Sequence, residues 1–207
     1  MHSKVYKEYE NIFREHNISG RVLEIGATLN KKSLLASKLL KNCDKIGINL
    51  VDSGKFLDFE NILCNANDMS IFKDNEFDCV LCNSVLEHDK YFWKSISEMK
   101  RILKDNGILI IGTPSYKDLW SHKFTKYIKG QNLISDFLRS TTFTFKLHSY
   151  PGDYYRFSEE TYKDVFFEGF KNVKIKTIMM PPRTIGYGFK NQQWKVDYKH
   201  GHGLSPK

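Results

Sequence analysis

The chain has 207 residues, of which 41% are hydrophobic and 14% aromatic, a composition that excludes a disordered protein. It carries 32 basic and 24 acidic residues, for a formal net charge of +8 at pH 7. The lysines are spread along the chain rather than clustered in a patch, so we do not favour nucleic acid as the partner.

The N-terminal segment is polar and charged, and no apolar run approaches the roughly 20 residues that span a bilayer. We therefore expect neither a signal peptide nor contact with a membrane. The four cysteines are typical of reduced thiols in a cytoplasmic protein. Cys79 and Cys82 have C-x-x-C spacing, but they lie within one predicted strand, where an odd separation points the two side chains to opposite faces. We therefore predict structural thiols and no metal site.

Hydrophobic periodicity predicts an alternation of strands and helices through the first half of the chain. Val5, Tyr9, Ile12 and Phe13 recur at helical spacing and predict an amphipathic helix over residues 5–16. The elements that follow are a strand over 21–25, a turn over 26–30, a helix over 33–40, strands over 45–50, 61–64 and 77–82, a helix over 91–103 and a strand over 107–112. This order is typical of a doubly wound α/β fold with a parallel sheet.

The alternation of predicted strands and helices stops after Pro114. Residues 115–157 are aromatic and basic without a repeating unit, and we interpret them as an insertion over the strand ends. A helix is predicted over 158–167, with Ser158 as its N-cap, followed by a strand over 171–178 and a last strand near 193–198. We predict a single domain over residues 1–207, with an N-terminal helix in 1–19, a substrate lid in 115–157 and a flexible tail over 199–207.

Two runs of residues resemble a known family. The runs FDCVLCNSVLEH (77–88) and RILKDNG (101–107) describe a strand, a polar loop, a helix, a turn and a second strand. They resemble the class I S-adenosylmethionine-dependent methyltransferases of the type 11 family. The resemblance implies a Rossmann-like, mostly parallel seven-stranded sheet with helices on both faces and a lid insertion after the fifth strand. It also implies S-adenosylmethionine as cofactor and S-adenosylhomocysteine as product.

The resemblance assigns the cofactor to the loops at the carboxyl ends of the strands. Glu24 and Gly26 match the family's first motif, while Thr28 and Asn30 replace two of its glycines. Asn49 takes the place of the acid that holds the ribose, with an ordinary turn-forming role as its alternative. The full set of predicted cofactor residues is Glu24, Gly26, Ala27, Thr28, Asn49, Asn65, Ala66, Asn83 and Ser84.

The same resemblance predicts the catalytic and acceptor residues. His88 is expected to face the reactive methyl, or else to serve only as a structural cap, and His148 is a second candidate base near neutral pH. The run HSYPGDYYRF (148–157) resembles an acceptor-binding segment of small-molecule methyltransferases. Its predicted acceptor ligands are Asp153, Tyr154, Tyr155 and Arg156.

Three functions remain open from the sequence. The first is transfer of a methyl group to a small polar acceptor, such as a hydroxyl of a sugar-linked metabolite. The second is a methyltransferase-like binding or scaffold protein without turnover, suggested by the asparagines at cofactor positions. The third is an RNA methyltransferase, suggested by the net charge. Some related enzymes hold a metal with Glu-x-x-Glu-His, but Ser84 occupies the first Glu position here, so we predict no metal. The oligomeric state is left open.

Overall fold

The computed structural model describes residues 1–118, 142–143 and 152–191. Its strands are β1 (Arg21–Ile25), β2 (Asp44–Asn49), β3 (Gly54–Phe56), β4 (Phe59–Leu63), β5 (Phe77–Asn83), β6 (Leu103–Pro114), β7 (Lys117–Asp118), β8 (Thr142–Phe143), β9 (Phe170–Ile178) and β10 (Arg183–Lys190). Eight of these described strands form one sheet in the order β3-β4-β2-β1-β5-β6-β10-β9, and β7 pairs with β8.

The centre of the sheet is parallel and its two edges are antiparallel. Strand β1 pairs in parallel with β2 on one side and with β5 on the other, and β4 and β6 extend the parallel part outward. Strands β10 and β9 continue antiparallel beyond β6, and β3 is antiparallel to β4. The order of strand addition reverses between β1 and β5, which makes their carboxyl ends the topological switch point where open α/β sheets bind ligands.

Helices cover both faces of the sheet, as predicted. Helix α1 (Ser3–His16) buries Val5, Tyr9, Ile12 and Phe13 against one face, which confirms its amphipathic pattern. On the other face lie α2 (Phe92–Ile102) and α3 (Glu159–Thr161), and α3 continues into a π-helical turn over Tyr162–Phe166. Cys79 packs into the α1 core and Cys82 into the opposite core, so the two thiols do face apart.

The predicted helix over 33–40 was wrong. The chain forms two short 3₁₀ turns, Leu34–Ala36 and Lys38–Leu40, because Ser37 between them is extended (φ −65°, ψ 132°). The hydroxyls of Ser33 and Ser37 each accept a hydrogen bond from the main-chain N–H two residues on. Such local side-chain bonds compete with a continuous helix.

The sheet has one strand more than the seven predicted. Strand β3 forms a short hairpin with β4 at the sheet edge, and β10 occupies a stretch in which we predicted no strand. Gly186 and Gly188 concealed β10, since glycine weakens a strand pattern. A Cβ at Gly186 would overlap the rings of Tyr162 and Phe167, so close packing requires the glycine there.

Several predictions lie outside the described residues. These are most of the insertion (119–141 and 144–151), which includes His148, the strand near 193–198 and the tail over 199–207. In the described part of the chain, no helix is long and apolar enough to cross a membrane.

Arg101 in α2 is the main link between that helix and the loop that follows β4. Its guanidinium donates to both carboxylate oxygens of Glu98 at 2.8 Å, and to the main-chain oxygens of Met69 (2.9 Å) and Phe72 (3.0 Å). It also pairs with Asp74 at 2.7 Å. A lysine offers a point charge in place of this planar fork and cannot make these bonds together.

We therefore expect Arg101→Lys to lower the free energy of unfolding by about 2 kcal/mol. Urea denaturation measures the change. Arg14→Lys is a matched control, because Arg14 is 56% exposed and contacts Glu10 only at 3.9 Å. Equal stability of the two variants would contradict a structural role for Arg101.

Candidate functional site

The first turn of the sheet lies against the segment that follows β5. Gly26 has a φ of +76°, and a Cβ at this position would overlap the Cγ2 methyl of Val85. The N–H groups of Gly26 and Ala27 both donate to the main-chain oxygen of Ile48, at 2.8 and 3.1 Å. The turn is thus held close to both neighbouring strands at the switch point, where only glycine fits.

Glu24 holds the chain that leaves this turn. Its buried carboxylate accepts hydrogen bonds from the Ser33 hydroxyl and from the N–H of Leu35 (3.2 Å). Burial raises the pKa of the Glu24 carboxyl, and the bond from Ser33 opposes that rise. Thr28 is half-buried, and its hydroxyl lies 3.4 Å from Oδ1 of Asn30.

Two asparagines tie the first turn to the strands beside it. Asn49, at the end of β2, donates to the main-chain oxygen of Ala27 at 2.7 Å and accepts from the N–H of Val51 at 3.1 Å. Asn61 in β4 donates to the same Ala27 oxygen at 3.1 Å and to the Asp52 oxygen at 2.9 Å. Sequence reasoning missed Asn61, although a polar residue in mid-strand was a signal. Asn49 has a structural task in addition to any role in binding.

The segment after β4 forms a compact turn. Asn65 accepts a hydrogen bond from the N–H of Asn67 at 3.0 Å, and Ala66 packs against the core. Asn67 in turn donates to Asp89 (2.6 Å) and Ser95 (2.7 Å). These bonds join the predicted adenine segment to the chain that follows β5.

Asn83 and Ser84 end β5 at the switch point. Nδ2 of Asn83 donates to the Ser84 hydroxyl at 3.1 Å, and its buried Oδ1 has no hydrogen-bond partner among the residues that the structure describes. Ser84 has a φ of +57°, and its hydroxyl accepts a hydrogen bond from Arg183 at 2.5 Å. Sequence reasoning missed Arg183, because nothing local connects the start of β10 with β5.

Glu87 and His88 form the next turn, Leu86–His88. Nδ1 of His88 contacts the main-chain oxygen of Gly152, and its Nε2 lies 3.8 Å from Oε1 of Glu87. Glu87 is fully buried, and in the described part of the chain neither of its carboxylate oxygens has a hydrogen-bond partner. Burial raises the pKa of this carboxyl to about 7. Sequence reasoning missed Glu87 as a site residue and noted it only beside His88.

The predicted acceptor segment lies directly on Glu87. The N–H groups of Tyr154 and Tyr155 donate to the main-chain oxygen of Glu87 at 2.8 and 3.3 Å. Arg156 makes two hydrogen bonds to the Asp153 carboxylate, one of them at 2.5 Å, and this pairing raises the pKa of the guanidinium. The structure therefore brings His88 together with the segment from Gly152 to Arg156.

The two tyrosines differ in their surroundings. The Tyr155 hydroxyl donates to the main-chain oxygen of Lys90 at 3.0 Å, and its ring packs against Phe92 and Phe157. The Tyr154 side chain is 48% exposed, and Lys90 lies over its ring. Tyr155 thus anchors the segment, whereas Tyr154 keeps its ring at the surface.

Residues 24–111 match the family described as a methyltransferase domain. This part of the chain is similar to methyltransferase domains. The matched residues run from Glu24 at the end of β1 to Ile111 in β6, and they include every described loop at the switch point. The segment that carries Arg156 and the start of β10 with Arg183 lie beyond the matched part.

The curated relatives carry no assigned activity. One uncharacterized protein of Methanocaldococcus jannaschii is 46% identical over 67 residues, which cover 32% of this chain and 28% of that protein. A second from the same organism is 32% identical over 117 residues, which cover 52% of this chain and 51% of that protein. The chain thus spans about half or less of the length of these relatives.

Several solved methyltransferase structures share the fold of this chain. A Burkholderia thailandensis 1,6-didemethyltoxoflavin-N1-methyltransferase superposes with a TM-score of 0.62 at 14% identity, covering 90% of this chain and 78% of that one. A SAM-dependent methyltransferase from Archaeoglobus fulgidus has a TM-score of 0.60 at 16% identity, and the match covers 90% of this chain and 93% of that one. A Haemonchus contortus phosphoethanolamine N-methyltransferase has a TM-score of 0.58 at 15% identity, and the match covers 90% of this chain and 52% of that one. At these identities the likeness concerns the fold.

Proposed function

We propose that the chain is an S-adenosylmethionine-dependent methyltransferase that acts on a small polar acceptor. The observation that carries this proposal is the convergence, at one switch point, of a glycine turn with positive φ and the polar ends of β2, β4 and β5. Open α/β sheets bind ligands in this crevice. The methyltransferase-family match covers the same loops.

The residues present suit the cofactor. Within the described residues, the buried Oδ1 of Asn83 lacks a hydrogen-bond donor, such as an ammonium group would provide. By the family pattern, the first turn would line the cofactor, Asn49 would hold the ribose and Asn83 with Ser84 the methionine part. Asn65 and Ala66 would hold the adenine. When bound, the cofactor supplies a methyl group on a sulfonium, which is open to in-line displacement.

The chain's own residues would align the acceptor and take its proton. Alignment of nucleophile and methyl is the main requirement of such a displacement. The carbonyl of Gly152 can only accept a hydrogen bond, so its contact with His88 places the proton of a neutral ring on Nδ1. Nε2 is then the nitrogen that can accept a proton. His88 and His148 stay the two predicted bases, with a purely structural role as the alternative for His88.

A small polar acceptor suits the segment over His88. Asp153, Tyr154 and Arg156 place a carboxylate, a phenol and a guanidinium within four residues of the chain. Most ligand pockets combine apolar walls with a few such polar groups that fix orientation. We therefore place the acceptor between His88 and this segment.

Isothermal titration with S-adenosylhomocysteine tests the cofactor site directly. We expect the wild type to bind, and Asn49→Leu to raise the dissociation constant about tenfold, because the variant loses two hydrogen bonds of the turn and a polar group for the ribose. Asn11→Leu on the exposed face of α1 is the matched control and should bind like the wild type. No heat with the wild type would refute the proposed function.

A protein that binds the cofactor without turnover is the second candidate. The amide of Asn49 already serves Ala27 and Val51, and as a neutral group it accepts from ribose hydroxyls less strongly than a carboxylate would. Incubation of the protein with methyl-labelled cofactor and a cell extract separates the two functions. Label transferred to any acceptor supports the enzyme, and binding without transfer supports the second candidate.

A further inference from the structure

We propose that Glu87 is the group that binds the acceptor's nucleophilic hydroxyl or amine and takes its proton. This inference rests on the proposed function and deepens it, since it assigns a residue outside the predicted site. It also gives the acceptor a chemical class, a neutral or cationic O–H or N–H donor.

The carboxylate of Glu87 is buried without a hydrogen-bond partner among the described residues, and Nε2 of His88, 3.8 Å from its Oε1, is too far away to donate one. The relative exposure of Glu87 is 0%, and both oxygens lack a hydrogen bond within the described ranges. Buried polar groups in proteins are almost always hydrogen-bonded, and an unsatisfied carboxylate is costly. Glu24, the other buried acid of the site, is by contrast satisfied by Ser33 and Leu35. Glu87 is therefore the buried acid of the site whose carboxylate lacks a hydrogen-bond donor among the described residues.

Glu87 also lies in the right place to meet an acceptor. Glu87 lies three residues after Ser84, at the carboxyl end of β5 and beside the switch point. Its main-chain oxygen holds the N–H groups of Tyr154 and Tyr155, so the predicted acceptor segment is attached to this residue itself. Admission of an acceptor between the segment and the turn would expose the carboxylate to it.

The charge around the carboxylate also supports this assignment. After the main-chain N–H of Glu87 itself, Arg183 of β10 and Arg156 of the acceptor segment favour the ionised form of Glu87, while Asp153 opposes it. The other titratable groups that face it are His88, Cys82, Tyr9 and Tyr162. Arg156 is already paired with Asp153, and Arg183 donates to Ser84. Among the described residues, Arg183 and Arg156 thus act on Glu87 through their charge, and its oxygens accept a hydrogen bond from neither.

The proposed reaction transfers one methyl group and one proton. The acceptor's oxygen or nitrogen forms a bond to the methyl carbon, and the carbon–sulfur bond breaks with its electron pair on sulfur. The acceptor's proton passes to a carboxylate oxygen of Glu87, and from there to solvent when the product leaves. In this assignment Glu87 replaces His88 as the base, and His88, through its contact with Gly152, acts as a positioning residue that holds the acceptor segment over the turn.

A cofactor analogue tests this assignment without knowledge of the acceptor. In sinefungin, an amine-bearing carbon replaces the methyl-bearing sulfur, so an ammonium group stands near the place where methyl transfer occurs. We expect Glu87→Gln to weaken sinefungin binding about tenfold at pH 8, because a bond to a charged group is lost. S-adenosylhomocysteine lacks the ammonium at that place, and its affinity should change by less than about threefold, as ordinary neutral contacts do.

Glu60→Gln on the exposed side of β4 is the matched control, and both ligands should bind it as they bind the wild type. An unchanged ratio of the two affinities in Glu87→Gln would overturn the assignment and leave the proposed function intact. If S-adenosylhomocysteine fails to bind the wild type, the proposed function fails and the assignment falls with it.

Discussion

Replacement of Glu87 by glutamine is expected to stabilise the ligand-free protein by about 3 kcal/mol at pH 8. Glutamine keeps the shape of the protonated acid and cannot ionise. Burial raises the pKa of Glu87 from 4.5 to about 7 in the folded chain. The stabilisation is therefore the cost of keeping an ionised carboxylate in the interior.

The direction of the pH dependence of this stability difference follows from the pKa of Glu87 in the folded and in the unfolded chain. Below pH 4.5 the carboxyl is protonated in both the folded and the unfolded chain, so its ionisation adds nothing to the difference between wild type and variant. Between pH 4.5 and about 7 the unfolded chain loses the proton and the folded chain keeps it, so the wild type loses stability as the pH rises. Above that range the difference is constant.

Urea denaturation of both proteins at several pH values measures this difference. Comparison of the two proteins cancels the titration of every other group. Glu60→Gln, on an exposed side chain, should show little change across the same range. A difference between Glu87→Gln and the wild type that stays flat from pH 4.5 to 8 would contradict the raised pKa.

Gly26→Ala is expected to lower the free energy of unfolding by about 3 kcal/mol, from a strained left-handed backbone and an overpacked contact together. The φ of +76° disfavours any L side chain, and the added methyl would overlap Cγ2 of Val85. Because the turn lies at the switch point, we also expect S-adenosylhomocysteine binding to be lost. Urea denaturation and isothermal titration measure the two effects.

A double-mutant cycle with Val85→Ala separates the two causes. Removal of the valine methyls relieves the overlap and leaves the φ unchanged, so Gly26→Ala should be less costly in that background by about 1–2 kcal/mol. The same cost in both backgrounds would show that the turn is not packed against Val85. A variant that binds the cofactor product normally would show that the turn does not line the site.

Local pattern was enough to predict most elements of the fold. The spacing of Val5, Tyr9, Ile12 and Phe13 predicted α1, and the odd separation of Cys79 and Cys82 predicted that they face apart. It failed at residues 33–40, where serine hydroxyls compete with the helix, and at β10, where glycines required by Tyr162 and Phe167 interrupt the apolar pattern. In both places the deciding contact was one that periodicity does not register.

Some features of the candidate site were likewise predictable from local sequence, and others were not. The sequence by itself determined the succession of the central strands along the chain and the polar residues at their carboxyl ends, because hydrophobic alternation and turn residues are properties of adjacent positions. Only the tertiary structure decided that Arg183 reaches Ser84 from 99 positions away and that the segment at Tyr154 covers Glu87. Burial of a carboxylate and the lack of a partner for it depend on every element packed around it, and the sequence near Glu87 does not contain that information.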